Sequence, residues 1–483
     1  MTRRNMFARA ARYFQAGSCP WLYGVLYQGA SSGKQALQTV VPSPPALTMP
    51  RPPPAEVKQL QNGIRIVEAH ESSRFRSHSL LLVGLSTLDD PPGKVGMAEM
   101  ASALIPFLKV GNDTLQDRLS AGDASISSEM RYGGDCTAIR FTDTGSPAGS
   151  ILMTIRALAN PDLEPATLSN WVANAVLRNQ QRQNDPSWLA ESAFRRHLYA
   201  NDNRQCVWAE SSALNTITAA DLRACYCGRA AAPAPIVTAP SRYRIAAALA
   251  ELPRAQSHPP ANRIAAPSWR HSASFPSPQV LLVDLPGSNR ASLCIGNLAF
   301  DRYSPDYATG AVLGRILGYG QSSRLHILLR SKGYAYTVFA GFSAERYLQH
   351  FAVKSDVDPR TAIPAVSAIL DEFRRLGESV AKDEEITTAQ AGIVTAFVQA
   401  NDSASESLPL LAEIPRYGLP PTYWTSYLHS VIHVTPQDIR AVSVRYLPCC
   451  NAQIVVVGDV KAIGGSWDRF GHVRVIPASA AFS

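Results

Sequence analysis

Short apolar runs bounded by turn residues punctuate the chain from Asn62 onward, with helical-period stretches between them. Asn62-Gly63 opens an alternating strand, Ile64-Arg-Ile-Val67, and Ser79-Leu-Leu-Leu-Val-Gly84 follows as a second. Far downstream, Val280-Leu-Leu-Val283 and Ser292-Leu-Cys-Ile-Gly296 repeat that pair. Residues 162–183 and 383–398 carry apolar positions at helical spacing and predict long helices. The two halves also close alike. Thr218-Ala-Ala-Asp-Leu-Arg-Ala224 and Thr435-Pro-Gln-Asp-Ile-Arg-Ala441 share Thr, Asp, Arg and Ala at one spacing. Thr with Asp three residues later marks a helix N-cap. A strand follows each, Ile236-Val-Thr238 and Ile454-Val-Val-Val457.

Gly84 and Gly296 lie 212 residues apart, and Thr218 and Thr435 lie 217 apart. Two unrelated anchors at nearly one offset predict an internal duplication. The expected fold class is α+β: two homologous domains, each a sheet covered by helices, joined by a linker. The expected boundaries are a lead-in at 1–55, an N-terminal domain at 56–240, a Pro/Ala/Ser-rich linker at 241–276, a C-terminal domain at 277–465 and a tail at 466–483.

Charge narrows the partners. The formal net charge is +8, but residues 1–55 hold Arg3, Arg4, Arg9, Arg12, Lys34 and Arg51 and no acid, which accounts for +6. The nearly neutral remainder has no charge excess to drive nucleic-acid binding. An Arg-rich, acid-free start predicts a mitochondrial transit peptide, with Phe7, Ala10, Ala11 and Phe14 on one helical face. No run of about eighteen apolar residues occurs, so membrane contact is expected only through partners. Of the eight cysteines none forms a Cys-x-x-Cys pair, which predicts free thiols and no haem or iron–sulfur motif.

One stretch is far more specific: Gly318-Tyr-Gly-Gln-Ser-Ser-Arg-Leu325, continuing His326-Ile-Leu-Leu-Arg-Ser-Lys-Gly-Tyr-Ala-Tyr-Thr-Val338. It resembles the second-half signature of the pitrilysin/insulinase-type zinc peptidases. That superfamily includes the mitochondrial processing peptidase and the core proteins of respiratory complex III. The first half resembles it as well, in its Asn62-Gly63 strand, in Leu119-Ser-Ala-Gly-Asp-Ala-Ser-Ile-Ser-Ser-Glu129 and in Asn184-Asp-Pro186 with the helix that follows.

The resemblance implies where a zinc site should be. Active relatives place His-x-x-Glu-His on one helix, so that both histidines reach one metal and the Glu serves as general base. A Glu from a later helix completes the set. With Gly96-Met97-Ala98 on the family's lead-in, the two histidine positions are Glu99 and Ala103, the base position is Ser102 and the distal ligand position is Asn179. The expectation is a degenerate site with no catalytic residue, metal or cofactor. Arg330 and Tyr336 align with the second-half Arg and Tyr that contact substrate in active relatives, here as vestigial contacts. His429 and His433 have ligand-like spacing but no Glu between them and no third ligand. The glycine turn at 318–320 lacks the Gly-Lys-Ser/Thr of a phosphate loop.

The implied function is therefore that of an inactive homologue, not an enzyme. The reading is a core subunit of mitochondrial respiratory complex III, most like core protein 2, on the matrix side of the inner membrane. Its expected partners are a second pitrilysin-like subunit (core 1 or processing-peptidase β type), cytochrome b, cytochrome c1 and the iron–sulfur protein. The alternative is the substrate-binding α subunit of the processing peptidase. The short glycine stretch at 317–321 favours the core-protein reading, because α-type subunits carry a longer loop there.

Overall fold

The computed structural model describes residues 50, 56–69, 77–130, 134–199, 209–229, 235–252, 275, 277–402, 404–448 and 450–481. The expected transit peptide and the core of the Pro-rich linker lie outside them.

Two six-stranded sheets organise the molecule. The first is built from β1 (Glu56–Gln59), β2 (Arg65–Ala69), β3 (Ser77–Val83), β6 (Ser125–Met130), β7 (Thr137–Asp143) and β8 (Ile236–Pro240), in the order β1-β2-β8-β3-β7-β6. A separate two-stranded ribbon holds β4 (Lys109–Val110) and β5 (Asp113–Thr114). The second sheet comprises β9 (Gln279–Asp284), β10 (Ala291–Leu298), β11 (Ala335–Ala344), β12 (Gln349–Val357), β13 (Gln453–Gly458) and β14 (His472–Pro477). Its order, β14-β9-β13-β10-β12-β11, repeats that of the first sheet. The strand directions repeat too: β2 runs parallel to β8 as β9 does to β13, and the next three pairings of each sheet are antiparallel. Only the outer edge differs, since β1 is antiparallel to β2 and β14 parallel to β9.

The helices of eight residues or more are α1 (Met97–Leu104), α2 (Ala148–Ala159), α3 (Pro165–Arg182), α4 (Pro186–Leu198) and α5 (Ala219–Arg229) in the first half. The second half contributes α6 (Tyr307–Gly318), α7 (Arg324–Ser331), α8 (Ala362–Glu378), α9 (Asp383–Asp402), α10 (Ala404–Tyr417), α11 (Tyr423–Ile432) and α12 (Pro436–Tyr446). The duplicated cap is built identically twice. Thr218 Oγ1 accepts from the Asp221 N–H at 3.2 Å while Asp221 accepts from the Thr218 N–H at 2.9 Å. Thr435 and Asp438 make the same reciprocal pair at the same distances. Two otherwise orphaned N–H groups are satisfied at each helix start.

Each sheet is covered on both faces, and one cover comes from the other half. Period-two alternation sends Leu81 and Val83 of β3 into the first half's own helical core, and Leu80 and Leu82 to the opposite face. There Leu408, Leu411 and Ala412 of α10, a second-half helix, close over them. Reciprocally, Leu189, Ala190, Ala193 and Phe194 of α4, a first-half helix, pack on Val283, Cys294, Val455 and Val457 of the second sheet. Burial on both faces explains why β10 and β13 are almost continuously apolar in sequence. Gly296 of β10 is required here: a Cβ would lie 1.9 Å from the Phe351 carbonyl oxygen and 2.9 Å from the Phe194 ring. Cys294 is sealed beneath α4, and burial pushes its thiol up to about 12. The described cysteines Cys136, Cys225, Cys227, Cys294 and Cys450 are all free.

Ordered structure extends past both expected edges. Ala246–Ala250 forms a short helix whose Leu249 is buried in the first core, and Asn62 Nδ2 donates to the Leu249 and Leu252 carbonyls at 2.7 and 3.1 Å. Residues 472–477, at the expected tail, supply the edge strand β14.

Candidate functional site

Helix α1 carries three of the four positions at which the zinc site is expected. Gly96 precedes it with φ +97°, and a Cβ there would sit 2.1 Å from Ala209 Cβ. Having no side chain, Gly96 cannot cap the helix. The buried Asp90 carboxylate does so, accepting from the Gly96 and Ala98 N–H groups at 2.7 and 3.0 Å. The helix is fixed from two further sides. Tyr226 of α5 donates its hydroxyl to the Ala101 carbonyl at 2.6 Å, and Ser128 of the edge strand β6 donates to the Ser102 carbonyl at 2.6 Å.

Glu99, Ser102 and Ala103 share one face of α1 by their spacing. Glu99 and Ala103 are half-buried, and Ser102 is buried. Asn179 lies on α3, 3% exposed. Its side-chain amide donates to the Ala209 carbonyl at 2.6 Å and approaches Ser211 Oγ at 3.4 Å. The structure thus brings Asn179 and the start of α1 together around one segment, Ala209–Ser211. Where the resemblance expects the distal ligand stands a brace between α3 and that segment.

The donor set does not fit zinc. A catalytic zinc takes three protein ligands from histidine, cysteine or carboxylate side chains. Across the four positions only Glu99 supplies one. Ala103 has no donor atom, the Ser102 hydroxyl does not ionise in the ordinary pH range, and the Asn179 amide nitrogen is engaged with backbone. No carboxylate stands at position 102 to take a proton from a bound water. No described group of three or more His, Cys, Asp or Glu side chains is arranged to hold a metal ion.

Arg330 closes α7 and Tyr336 starts β11, at the free edge of the second sheet. Both face solvent, Tyr336 at 66% exposure. His326 is half-exposed; burial first, then the charge of Arg330, lowers its pKa. His429 and His433 stack at 4.1 Å on the exposed side of α11, with the His433 ring 2.8 Å from the His429 carbonyl oxygen.

The Ser-Ser-Arg-Leu block has a structural role the sequence did not disclose. Arg324 Nε and Nη2 form a two-pronged pair with Glu385 of α9, both at 2.7 Å, and Nη1 reaches Glu372 of α8 at 3.0 Å. One guanidinium therefore fastens the start of α7 to two helices. Burial opposes the charge on Glu385, and Arg324 and the Lys382 N–H outweigh it, so its pKa is lowered. Gly318 ends α6 where a Cβ would lie 2.2 Å from the Ala340 nitrogen, and Gly320 turns the chain at φ +87°. The glycine turn is thus a close approach of helix to strand.

Residues 245–393 match the family model described as the peptidase M16 inactive domain. The structure superimposes on a peptidase M16 inactive domain from Pseudomonas fluorescens with a TM-score of 0.75 and 17% identity, covering 84% of this chain and 98% of that one. The chain has the M16 peptidase fold. A protease from Helicobacter pylori gives a TM-score of 0.74 at 15% identity, covering 84% of this chain and 100% of its own. A chain of complex III from Candida albicans gives 0.67 at 12% identity, with 86% and 98% covered. No curated protein matches the chain in sequence. The family match runs from the end of the first half into the second, whereas α1 and Asn179 precede it.

Proposed function

We propose that this protein is a non-catalytic member of the M16 superfamily and a structural core subunit of respiratory complex III, on the matrix side of the inner mitochondrial membrane. What carries the proposal is the set Glu99, Ser102, Ala103 and Asn179 at the four positions where the resemblance expects the zinc site, with Asn179 spent on bracing backbone. The chain retains the architecture while lacking the ligands and the base, so its selected property is shape. A scaffold that pairs with a second M16-type subunit uses shape. The complex III chain among the structural neighbours, the matched inactive domain and the Arg-rich, acid-free start all support this reading. Electron transfer would belong to partners, namely cytochrome b, cytochrome c1 and the iron–sulfur protein.

The second reading is a substrate-binding partner of an active M16 peptidase, in mitochondria the α type of the processing peptidase. The solvent-facing Arg330 and Tyr336 favour it, because they would remain available to an extended peptide.

Blue-native electrophoresis of mitochondrial membranes with haem staining, followed by immunodetection of this chain, tests the first reading. Comigration with the haem-stained complex is expected. Migration only as a soluble heterodimer would overturn it, and stimulation of presequence cleavage by a β-type subunit would then establish the second.

A further inference from the structure

A cavity of about 340 Å³ opens where the two halves meet, beneath the end of α10. Its apolar wall includes Leu82 and Ile236 of the first sheet. Its polar lining is unbalanced: Arg65 from β2, and Arg346 and Arg416 from the second half, face the single lining carboxylate, Asp135. Asp135 is already engaged. Arg416 Nε donates to its Oδ1 at 2.7 Å, Arg416 Nη2 donates to the same oxygen, and Arg346 stands 3.6 Å from Oδ2. Glu345 lies close enough to act on the charge of Arg416. Counting it as well, three guanidinium groups meet two carboxylates.

The excess resides on Arg65. Its one described side-chain bond is Nη1 donating to the Pro415 carbonyl, and no described carboxylate pairs with it. Burial, then repulsion from Arg346, lowers its pKa. A half-buried guanidinium beside a second one is held against their mutual repulsion, and an oxyanion offsets that cost in the geometry the guanidinium fork matches. At about 30 Å³ per water the cavity holds roughly ten waters, which is room for a phosphate group and a small substituent.

We infer that this cleft binds a small phosphate-type oxyanion between Arg65 of the first half and Arg346 of the second. The bound anion would bridge the halves, so occupancy stabilises the whole chain. The site is separate from α1, and its argument stands whether or not the chain is a complex III subunit.

The test is calorimetric titration and thermal unfolding of the full chain with inorganic phosphate, against chloride at matched ionic strength, and with glycerol phosphate as a soluble monoester. Saturable one-to-one binding with a raised Tm is expected for phosphate. Tighter binding of glycerol phosphate would identify a monoester as the ligand, whereas equal or weaker binding would identify the free ion. Arg65→Gln should weaken affinity about tenfold or more. Arg118→Gln, on an exposed pair with Asp113, should leave it unchanged. Arg65→Lys keeps the charge and loses the fork, and should also bind more weakly even if the Gln variant folds poorly. Phosphate acting no differently from chloride, or undiminished affinity in folded Arg65→Gln or Arg65→Lys, would overturn the site.

Discussion

Phe194→Ala tests whether the exchanged helices weld the halves into one unfolding unit. Phe194 is 1% exposed and comes from the first half in sequence, yet it packs on the second sheet. Its ring meets His350 edge-on at 5.8 Å and lies against the backbone of Gly296. Gly296 has no side chain to move into the vacated space, and β10 is held in register on both sides by β12 and β13. The site therefore collapses poorly, which puts the loss at about 3–5 kcal/mol. Against a total stability of about 5–15 kcal/mol, that is a large fraction. The assay is equilibrium urea unfolding followed both by circular dichroism and by tryptophan fluorescence. Trp171 reports from the first half, Trp424 and Trp467 from the second. The midpoint should fall while the two signals remain coincident. A loss below about 1 kcal/mol would show that Phe194 is not in a close-packed site. Separated transitions would show that α4 does not couple the halves, and the reasoning would fail. Leu411→Ala, the counterpart on α10, should cost about 2–5 kcal/mol by the same logic.

Three further outcomes are expected. Arg324→Gln strips the two-pronged pair from Glu385 and leaves Glu372, 7% exposed, with Arg375 at 3.4 Å as its remaining cation, and should cost about 1.5–3 kcal/mol in urea unfolding; Arg324→Lys should recover only part, because one ammonium cannot reproduce a two-pronged pair. Burial opposes the charge on Asp135, but Arg416 and Arg346 outweigh it and depress its folded pKa below 3.8. Its stabilisation is thus present above the unfolded value and lost as pH falls through the folded one; below about pH 4 the wild type should lose more stability than Asp135→Asn, which starts weaker at neutral pH. Equilibrium dialysis of the purified full chain against zinc, with metal analysis, should find no stoichiometric ion; one equivalent bound would refute the argument from the donor set.

Much of the architecture was legible because it rests on local chemistry. The Thr–Asp caps at Thr218 and Thr435 are written in four adjacent residues and recur in the structure with the same distances. The apolar runs at β3, β9, β10 and β13 fell within a few residues of their observed bounds. The positions around α1 rest on matching Gly96-Met97-Ala98 to the family's lead-in, and at Gly96 a Cβ would lie 2.1 Å from Ala209 Cβ. What could not be read depends on contacts between distant residues. Arg416 meets Asp135 across 281 positions, and nothing near either residue announces the other. The exchange of α4 and α10 was hidden because an amphipathic stripe such as Leu189, Ala190, Ala193 and Phe194 states only that something covers it. Arg324 looked like part of a signature, but its carboxylate partners lie 48 and 61 residues away. Strand β14 was missed because its side chains are mostly exposed and its pairing partner, β9, lies far upstream.

The helix exchange also governs the order in which this chain can mature. The first sheet has all its strands once Pro240 is made, yet its outer face waits for α10, which ends at Tyr417. At synthesis rates of 5–20 residues per second, that interval lasts roughly 9–35 s. Throughout it, Val67, Leu80, Leu82 and Ile236 form an uncovered apolar surface on a nascent chain. The helix that covers this face in the finished molecule is thus a late acquisition of the unfinished one, and until then the face is open to aggregation.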